Sequence, residues 1–223
     1  MAKLISIFCC FFIFYSKVNC KNETYNFLLF TQRWAPGACK EWLDMNETNS
    51  CYDVPHTHWT IHGLWPEWNI YCNDNPLDMS QLLNFEELLT QLWPTTRNLT
   101  NQLFNDCVTF WSHEWEKHGT CAMALPQFNT INKYFLQNLS WNLEYDVYTS
   151  LEINGITPDS NRGYKFADIR TALINSFGKI PDIICTTDNL INEVRLCFDL
   201  ESNLIDCTVI QSNCNIDKDV LYR

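Results

Sequence analysis

Apolar residues recur along this chain at two periods, near two and near 3.6, and the switches between them mark out strands and helices. Tyr25–Arg33 (YNFLLFTQR) is an apolar run suited to a strand, closed by a turn at Ala35-Pro36-Gly37. His56–His62 (HTHWTIH) alternates and predicts a second strand, broken by Gly63. Met79–Trp93 has a helical pattern, with Asp78 or Ser80 as N-cap and Pro94 beyond its end. Phe110–His118 predicts a helix that stops at Gly119. Further helices follow over Ile131–Leu139, over Leu143–Asn154 up to Gly155, and over Phe166–Phe177 up to Gly178 and Pro181. The tail returns to strands, Asn192–Leu200 and Leu204–Ile210, joined at Glu201-Ser202-Asn203. Helices mixed with strands placed to pair antiparallel predict an α+β fold. With 223 residues, no repeat and no linker, one domain is expected.

The first twenty residues depart from this pattern. Lys3 precedes LISIFCCFFIFY, twelve residues without a charge, too short to span a bilayer but suited to a signal peptide. A buried helix would be apolar on every side. Val18 and Cys20 suit a cleavage site, so residues 1–20 are expected to be a signal peptide and 21–223 the mature domain. No second apolar stretch approaches membrane length. Of the twelve cysteines, Cys9, Cys10 and Cys20 leave with the signal, and the remaining nine read as a disulfide framework. The sequons at Asn22, Asn46, Asn98 and Asn138 agree with the secretory route and are expected glycosylation sites.

The formal charge is −11, about −13 once Lys3 and Lys17 are lost. A duplex-binding module would carry a basic footprint, whereas an enzyme that cuts and releases needs only a local cationic site. Mildly acid pH, where carboxylates neutralise and histidines gain charge, should favour activity.

All five histidines fall in two stretches, 56–62 and 113–118. In FWSHEWEKHGTC, a helix would gather His113, Glu114, Lys117 and His118 on one arc of about 140°, with Phe110 inside it. Trp111 and Trp115 would anchor the other side. An ordinary salt-bridged surface face is the plainer reading, but three cationic groups beside one carboxylate suit a phosphate. The H-E-x-x-H pattern of zinc peptidases fails, because the second ligand position holds Lys117. In HTHWTIHGLWPEW, a strand would align His56, His58, Thr60 and His62, which makes a three-histidine metal hydrolase the rival chemistry; a half-exposed strand edge is the plainer reading. No carboxylate second shell is evident nearby to support a metal. Trp65 beside His62 offers a ring on which a base can stack.

TIHGLWPEW and FWSHEWEKHGTC resemble the two active-site segments of the ribonuclease T2 family. The resemblance continues through GITPDSNRGYKFADIRTALINSFGKIPDIIC and the cysteines after it, over essentially the whole mature chain. It implies a disulfide-stabilised α+β domain with a central antiparallel sheet flanked by helices, and endonucleolytic cleavage of RNA without metal or cofactor. It further implies His118 as general base and His62 as general acid, with Lys117 and Glu114 stabilising the phosphorane and His113 binding the phosphate. Trp65 and Phe110 would serve the bases. Glu67 stands beside the base site where the family often has Asp, which leaves base preference open. The implied pairs are Cys39–Cys51, Cys72–Cys121, Cys185–Cys214 and Cys197–Cys207. Cys107 is left over, as a buried thiol, a link to another chain, or a partner for Cys20 if cleavage falls earlier. The expected substrate is single-stranded RNA, with DNA excluded for want of a 2′-OH, no membrane contact after signal removal, and a monomeric state. Secretion is expected, with a lysosome-like or vacuolar compartment as the variant. A secreted effector or toxin acting mainly by interaction is the reading from another class.

Overall fold

The computed structural model describes residues 25–66, 71–207 and 212–223. The expected signal peptide, the Asn22 sequon and Glu67 lie outside the described residues. In chain order the elements are β1 (Leu28–Arg33), α1 (Ala35–Met45), β2 (Ser50–Cys51), β3 (Thr60–Pro66), α2 (Glu86–Leu92), β4 (Arg97–Asn98) and α3 (Leu103–Glu114). A π-helical turn, Trp115–Gly119, then leads into α4 (Thr120–Ala122). After it come α5 (Ile131–Glu144), α6 (Val147–Glu152), β5 (Gly163–Tyr164), α7 (Phe166–Phe177), β6 (Asp182–Cys185), β7 (Ile191–Phe198), β8 (Leu204–Ile205) and β9 (Val220–Leu221).

β1 is buried along most of its length and is paired on both edges. The central sheet runs β3-β1-β7-β6, with β8 on the end of β7, and every pair is antiparallel. Its two faces have different jobs. Leu28, Phe30, Ile61, Leu64, Val194, Leu196 and Phe198 fill the core. There Trp141 of α5 stacks on Phe198 with ring centres 3.8 Å apart; truncating a ring so buried costs about 3–5 kcal/mol. Gln32, buried on β1, donates to Tyr145 O and accepts from Asn142 of α5, so a polar core residue is satisfied while it ties helix to sheet.

The opposite face carries Arg33, Glu193 and Arg195, and it becomes the floor of the site. Residues directly across a ladder share a face, and Arg33 lies opposite Glu193 while Thr31 lies opposite Arg195. Ile61 and Leu64 both enter the core although they stand three positions apart, out of step with a period of two. The extra residue is taken up by a β-bulge: Thr31 pairs with Gly63 and Gln32 with Ile61, which leaves His62 without a partner on β1. Such a bulge re-aims a side chain. Here it frees His62 to face away from the core. Trp93 Nε1 donates to the His62 carbonyl (3.0 Å) and Tyr134 Oη to that of Leu64 (2.9 Å), so the irregular strand is pinned from the core side.

Several boundaries differ from the sequence pattern. Ala35-Pro36-Gly37 opens α1 instead of a turn: Pro36 suits a first helical turn, and a Cβ on Gly37 would lie 2.3 Å from Ile191 O, so this glycine serves close packing on β7. The second strand is displaced to 60–66, and Gly63 continues it. Met79–Trp93 is broken into short 3₁₀ turns before α2, although Asp78 does cap it. The helix expected at 110–118 begins at Leu103 and passes through Gly119, where Trp115 Cε3 fills the Cβ space at 2.3 Å. Asp146 caps a separate α6 by accepting from Thr149 N, which splits the helix expected at 143–154. Strand β6 is an element the periodicity did not mark. Of the strand expected at 204–210, Leu204–Ile205 form β8, residues 206–207 leave it, and 208–210 lie outside the described residues.

All four implied disulfides form. Cys107 is free and fully buried, and Thr95 N donates to its sulfur. A bond from it to another chain is incompatible with that burial. Asn138 corrects one expectation. Its side chain is fully buried in α5 with Nδ2 donating to Tyr134 O, so a glycan there does not fit this fold. Asn46 is exposed and accepts from Thr48 N and Oγ1, and Asn98 is partly exposed.

Candidate active site

β3 brings His62 and Trp65 to a cavity of about 400 Å³, and α3 with its π turn brings His113, Glu114, Lys117 and His118 to the same space. Leu29, Pro66 and Arg195 complete the lining. The face expected of a regular helix is therefore assembled, although the turn between Trp115 and Gly119 is π-helical. A π turn inserts one residue into a helix and commonly marks a functional segment. Trp111 and Trp115 are fully buried and donate to Trp93 O and Asn75 O, which anchors the helix and fixes the orientation of its active face. Cys72–Cys121 ties the segment after β3 to α4.

His62 and His118 both contact Trp65. The His62 and Trp65 rings are perpendicular at 4.8 Å, and those of His118 and Trp65 are tilted by 33° at 5.3 Å. Trp65 Nε1 donates to Glu114 Oε2 at 2.8 Å. The indole thus positions a carboxylate as well as lining the cavity. Gly63 makes room for this contact: a Cβ there would lie 2.2 Å from Glu114 Oε2 and 2.6 Å from Trp65 Nε1. Phe110 packs against His62 at 5.9 Å. His113 is exposed, with its ring 6.4 Å from that of His118.

The two imidazoles, His62 half-buried and His118 buried, differ at the ring nitrogen turned from the cavity. His62 Nδ1 meets Glu193 Oε1 at 2.6 Å, and its Nε2 stands 3.8 Å from Glu114 Oε1. His118 Nδ1 is buried without a hydrogen-bond partner. Burial pushes the His118 imidazole down to about 3, helped by the Lys117, His113 and His62 cations. Burial and Arg33 lower His62 to about 4, with Glu193 pulling the other way. Burial raises Glu114 to about 8 against the Trp65 hydrogen bond, Arg33 and Lys117, so it is a neutral acid at mildly acid pH. Burial also opposes charge on Glu193, but His62, Arg33 and Arg195 outweigh it and hold this carboxylate ionised. His113 is lowered by burial, then by Lys117 and Arg97.

His56 and His58 do not join the site. His56 lies against Trp34 (5.9 Å), and His58 Nε2 meets Gln91 O at 3.1 Å, because the chain turns before β3 begins. The three-histidine metal cluster is therefore not formed. Among the described residues His113, Glu114 and His118 bring potential ligand atoms within 4.8 Å of one another. The Lys117 ammonium beside them and a Glu114 that is neutral at mildly acid pH both disfavour a cation there. Sequence reasoning missed Arg33, Glu193 and Arg195. The signal was present in INEVRLCF, where charges at 193 and 195 alternate with core residues on a fully paired strand.

The ribonuclease T2 family model matches residues 25–207. Mouse ribonuclease T2-A is 33% identical over 189 residues, covering 81% of this chain and 68% of that protein. The crystal structure of human RNase T2 superposes with a TM-score of 0.72 at 32% identity, covering 82% of this chain and 91% of the other. RNase NT in complex with 5′-AMP gives a TM-score of 0.73 at 27% identity over 90% of this chain and 98% of its own. On a match that spans the central sheet, the cavity and three of the four disulfides, this chain belongs to the ribonuclease T2 family and is an endoribonuclease of that type.

Proposed function

We propose that the protein cleaves single-stranded RNA by metal-free transphosphorylation between His118 and His62. The observation that carries this reading is the pair of imidazoles on one cavity with unequal backing, one held by a carboxylate and one by nothing. His118, the more strongly depressed, stays neutral and takes the 2′-OH proton. The 2′-oxygen then attacks phosphorus, the P–O5′ bond breaks, and His62 Nε2–H protonates the departing O5′. The products are a 2′,3′-cyclic phosphate and a 5′-hydroxyl, and water opens the cyclic ester in a slower step with the roles exchanged. Lys117 neutralises charge developing on the phosphoryl oxygens. Glu114 anchors one oxygen on Trp65 and, when protonated, donates from the other. His113, at the open side, binds phosphate. Trp65 and Phe110, with Glu67, serve base recognition. DNA lacks the nucleophile and resists.

No helix among the described residues is long and apolar enough to cross a membrane. The four disulfides fit an oxidising route, and we assign the protein to secretion or a lysosome-like compartment, as a monomer, with glycans at Asn46 and Asn98. The test is cleavage of single-stranded RNA from pH 4 to 8 in EDTA. Cyclic-phosphate ends, lost in His62→Ala and His118→Ala, are expected; activity that needs added metal would overturn the mechanism.

A further inference from the structure

Glu193 sits on β7, two strands away from the histidine it contacts. Its side chain is 4% exposed, and every partner it has is cationic or can become so. Oε1 meets His62 Nδ1 at 2.6 Å and accepts from Arg33 Nη2 at 3.2 Å. Oε2 accepts from Arg195 Nε at 3.1 Å and Nη2 at 2.7 Å. The ladder fixes this arrangement, because Arg33 and Glu193 are cross-strand partners and Arg195 lies one pleat along the same face. Resting on the two-histidine reading above, we infer that Glu193 is a positioning residue for the acid step. Its carboxylate holds hydrogen on Nδ1 of His62 and turns Nε2 toward the cavity. It also stabilises the imidazolium, while Arg33 and Arg195 hold the carboxylate itself.

The charges around His62 make the need concrete. Arg33 and Arg195 approach from the sheet, Lys117 and His118 from the α3 side, and Glu114 stands 3.8 Å from Nε2. With Glu114 neutral below about 8, Glu193 is the anion in direct contact with His62; Glu41, 3.6 Å from Arg33, and Asp182, 3.8 Å from Arg195, pair with the guanidiniums. Without it, two guanidiniums would face the acid directly, and the ring would lose its proton before meeting substrate. A carboxylate that served only to neutralise the arginines would leave the acid step untouched. The orientation of a ring by a carboxylate at its second nitrogen is what makes one tautomer available for proton transfer.

The test uses two substrates with wild type, Glu193→Gln, His62→Ala and the double variant. A dinucleotide leaves as an alkoxide and needs the acid. A ribonucleoside 3′-(4-nitrophenyl phosphate), carrying the base the wild type cleaves best, leaves as a stable phenoxide and does not. Glu193→Gln is expected to lower kcat on the dinucleotide about 10²-fold with KM within about threefold, and to change the aryl ester by less than about fivefold. The alkaline limb of kcat/KM moves to lower pH, and the change adds nothing in the His62→Ala background. Equal losses on both substrates, or an added loss without His62, would overturn the inference. Should Glu193→Gln not fold, nitrogen-15 NMR of wild type at pH 6 decides: hydrogen on Nδ1 of His62 with a bare Nε2 is expected, and the opposite tautomer contradicts it. A wild type inert on both substrates sinks the two-histidine reading beneath it, whereas an active wild type matched by Glu193→Gln sinks this inference alone.

Discussion

His62 and His118 reach one cavity from opposite kinds of backbone, and each does so through a one-residue irregularity. His62 is the extra residue of a bulge in β3; His118 lies in the π turn between α3 and α4. Regular periods would have spent these positions on core packing or on an even helix face. The two sites differ in what stands behind the ring. A buried carboxylate backs His62, and an unpaired buried nitrogen backs His118. Identical side chains are thereby set to opposite tasks, because the backed imidazolium keeps its proton to a higher pH than the unbacked imidazole, which stays free to accept one.

The largest test of that difference removes each ring in turn. His118→Ala and His62→Ala should each lower kcat/KM on RNA by about 10³-fold. Steady-state kinetics with an aryl leaving group should restore most of the activity of His62→Ala and none of that of His118→Ala. Equal behaviour of the two variants would erase the distinction. Next in size is Gly63→Ala. The new methyl meets Glu114 Oε2 and Trp65 Nε1, both attached to buried or wedged groups, so the Glu114–Trp65 contact must open. A displacement near 1 Å at such a site costs about 10²-fold in rate, and kcat should fall by that order, with the melting temperature lowered by several degrees as the buried contact opens.

How this site could be read from the sequence follows from the same irregularities. Both histidines, Glu114, Lys117 and Trp65 were legible, because the two motifs are long and their side chains converge whether the turn is α or π. Glu193 and Arg195 were not sought, since a charged pair on a strand says nothing until the register shows what lies across it. The bulge was also invisible: alternation through HTHWTIH extended the strand too early and gave Gly63 the role of a breaker, when its missing Cβ makes room for Glu114. Core periodicity found β1, α7 and β7 well. It missed the helix at Ala35–Met45, where Pro36 and Gly37 are common turn residues and only packing against β7 explains them.

The pH profile sharpens the comparison further. Catalysis needs His118 neutral and His62 protonated. With His118 near 3 and His62 near 4, that pairing is most populated between those values in the free protein. We expect kcat/KM to fall toward tenfold per unit above about pH 4, and more steeply once Glu114 ionises near 8. A plateau extending to pH 6.5, the ordinary histidine value, would show that His62 is not depressed as its surroundings require.

The smallest expected effect is on stability, and it has the opposite sign from catalysis. Between its ordinary 6.5 and its folded value near 3, His118 binds a proton in the unfolded chain and refuses it in the folded one. Acidification through that window therefore favours unfolding, by up to about 3 kcal/mol at pH 4, while above about 7 neither state binds and the contribution vanishes. Replacing the ring by His118→Gln removes this term. Its melting temperature should drop less than that of wild type between pH 7 and pH 4, by roughly 6–12 °C. Titrating groups distant from the site contribute equally to both proteins and cancel in the difference, and the loss of His118 charge acts on His62 and His113 in the same pH window. Calorimetry at the two pH values measures it, and equal drops would mean that the buried nitrogen of His118 is solvated in a way its surroundings do not provide. The acid conditions that populate the reactive pairing are thus those in which the unprotonated, buried His118 costs the fold most, so the site's chemistry and the fold's stability pull in opposite directions as pH falls.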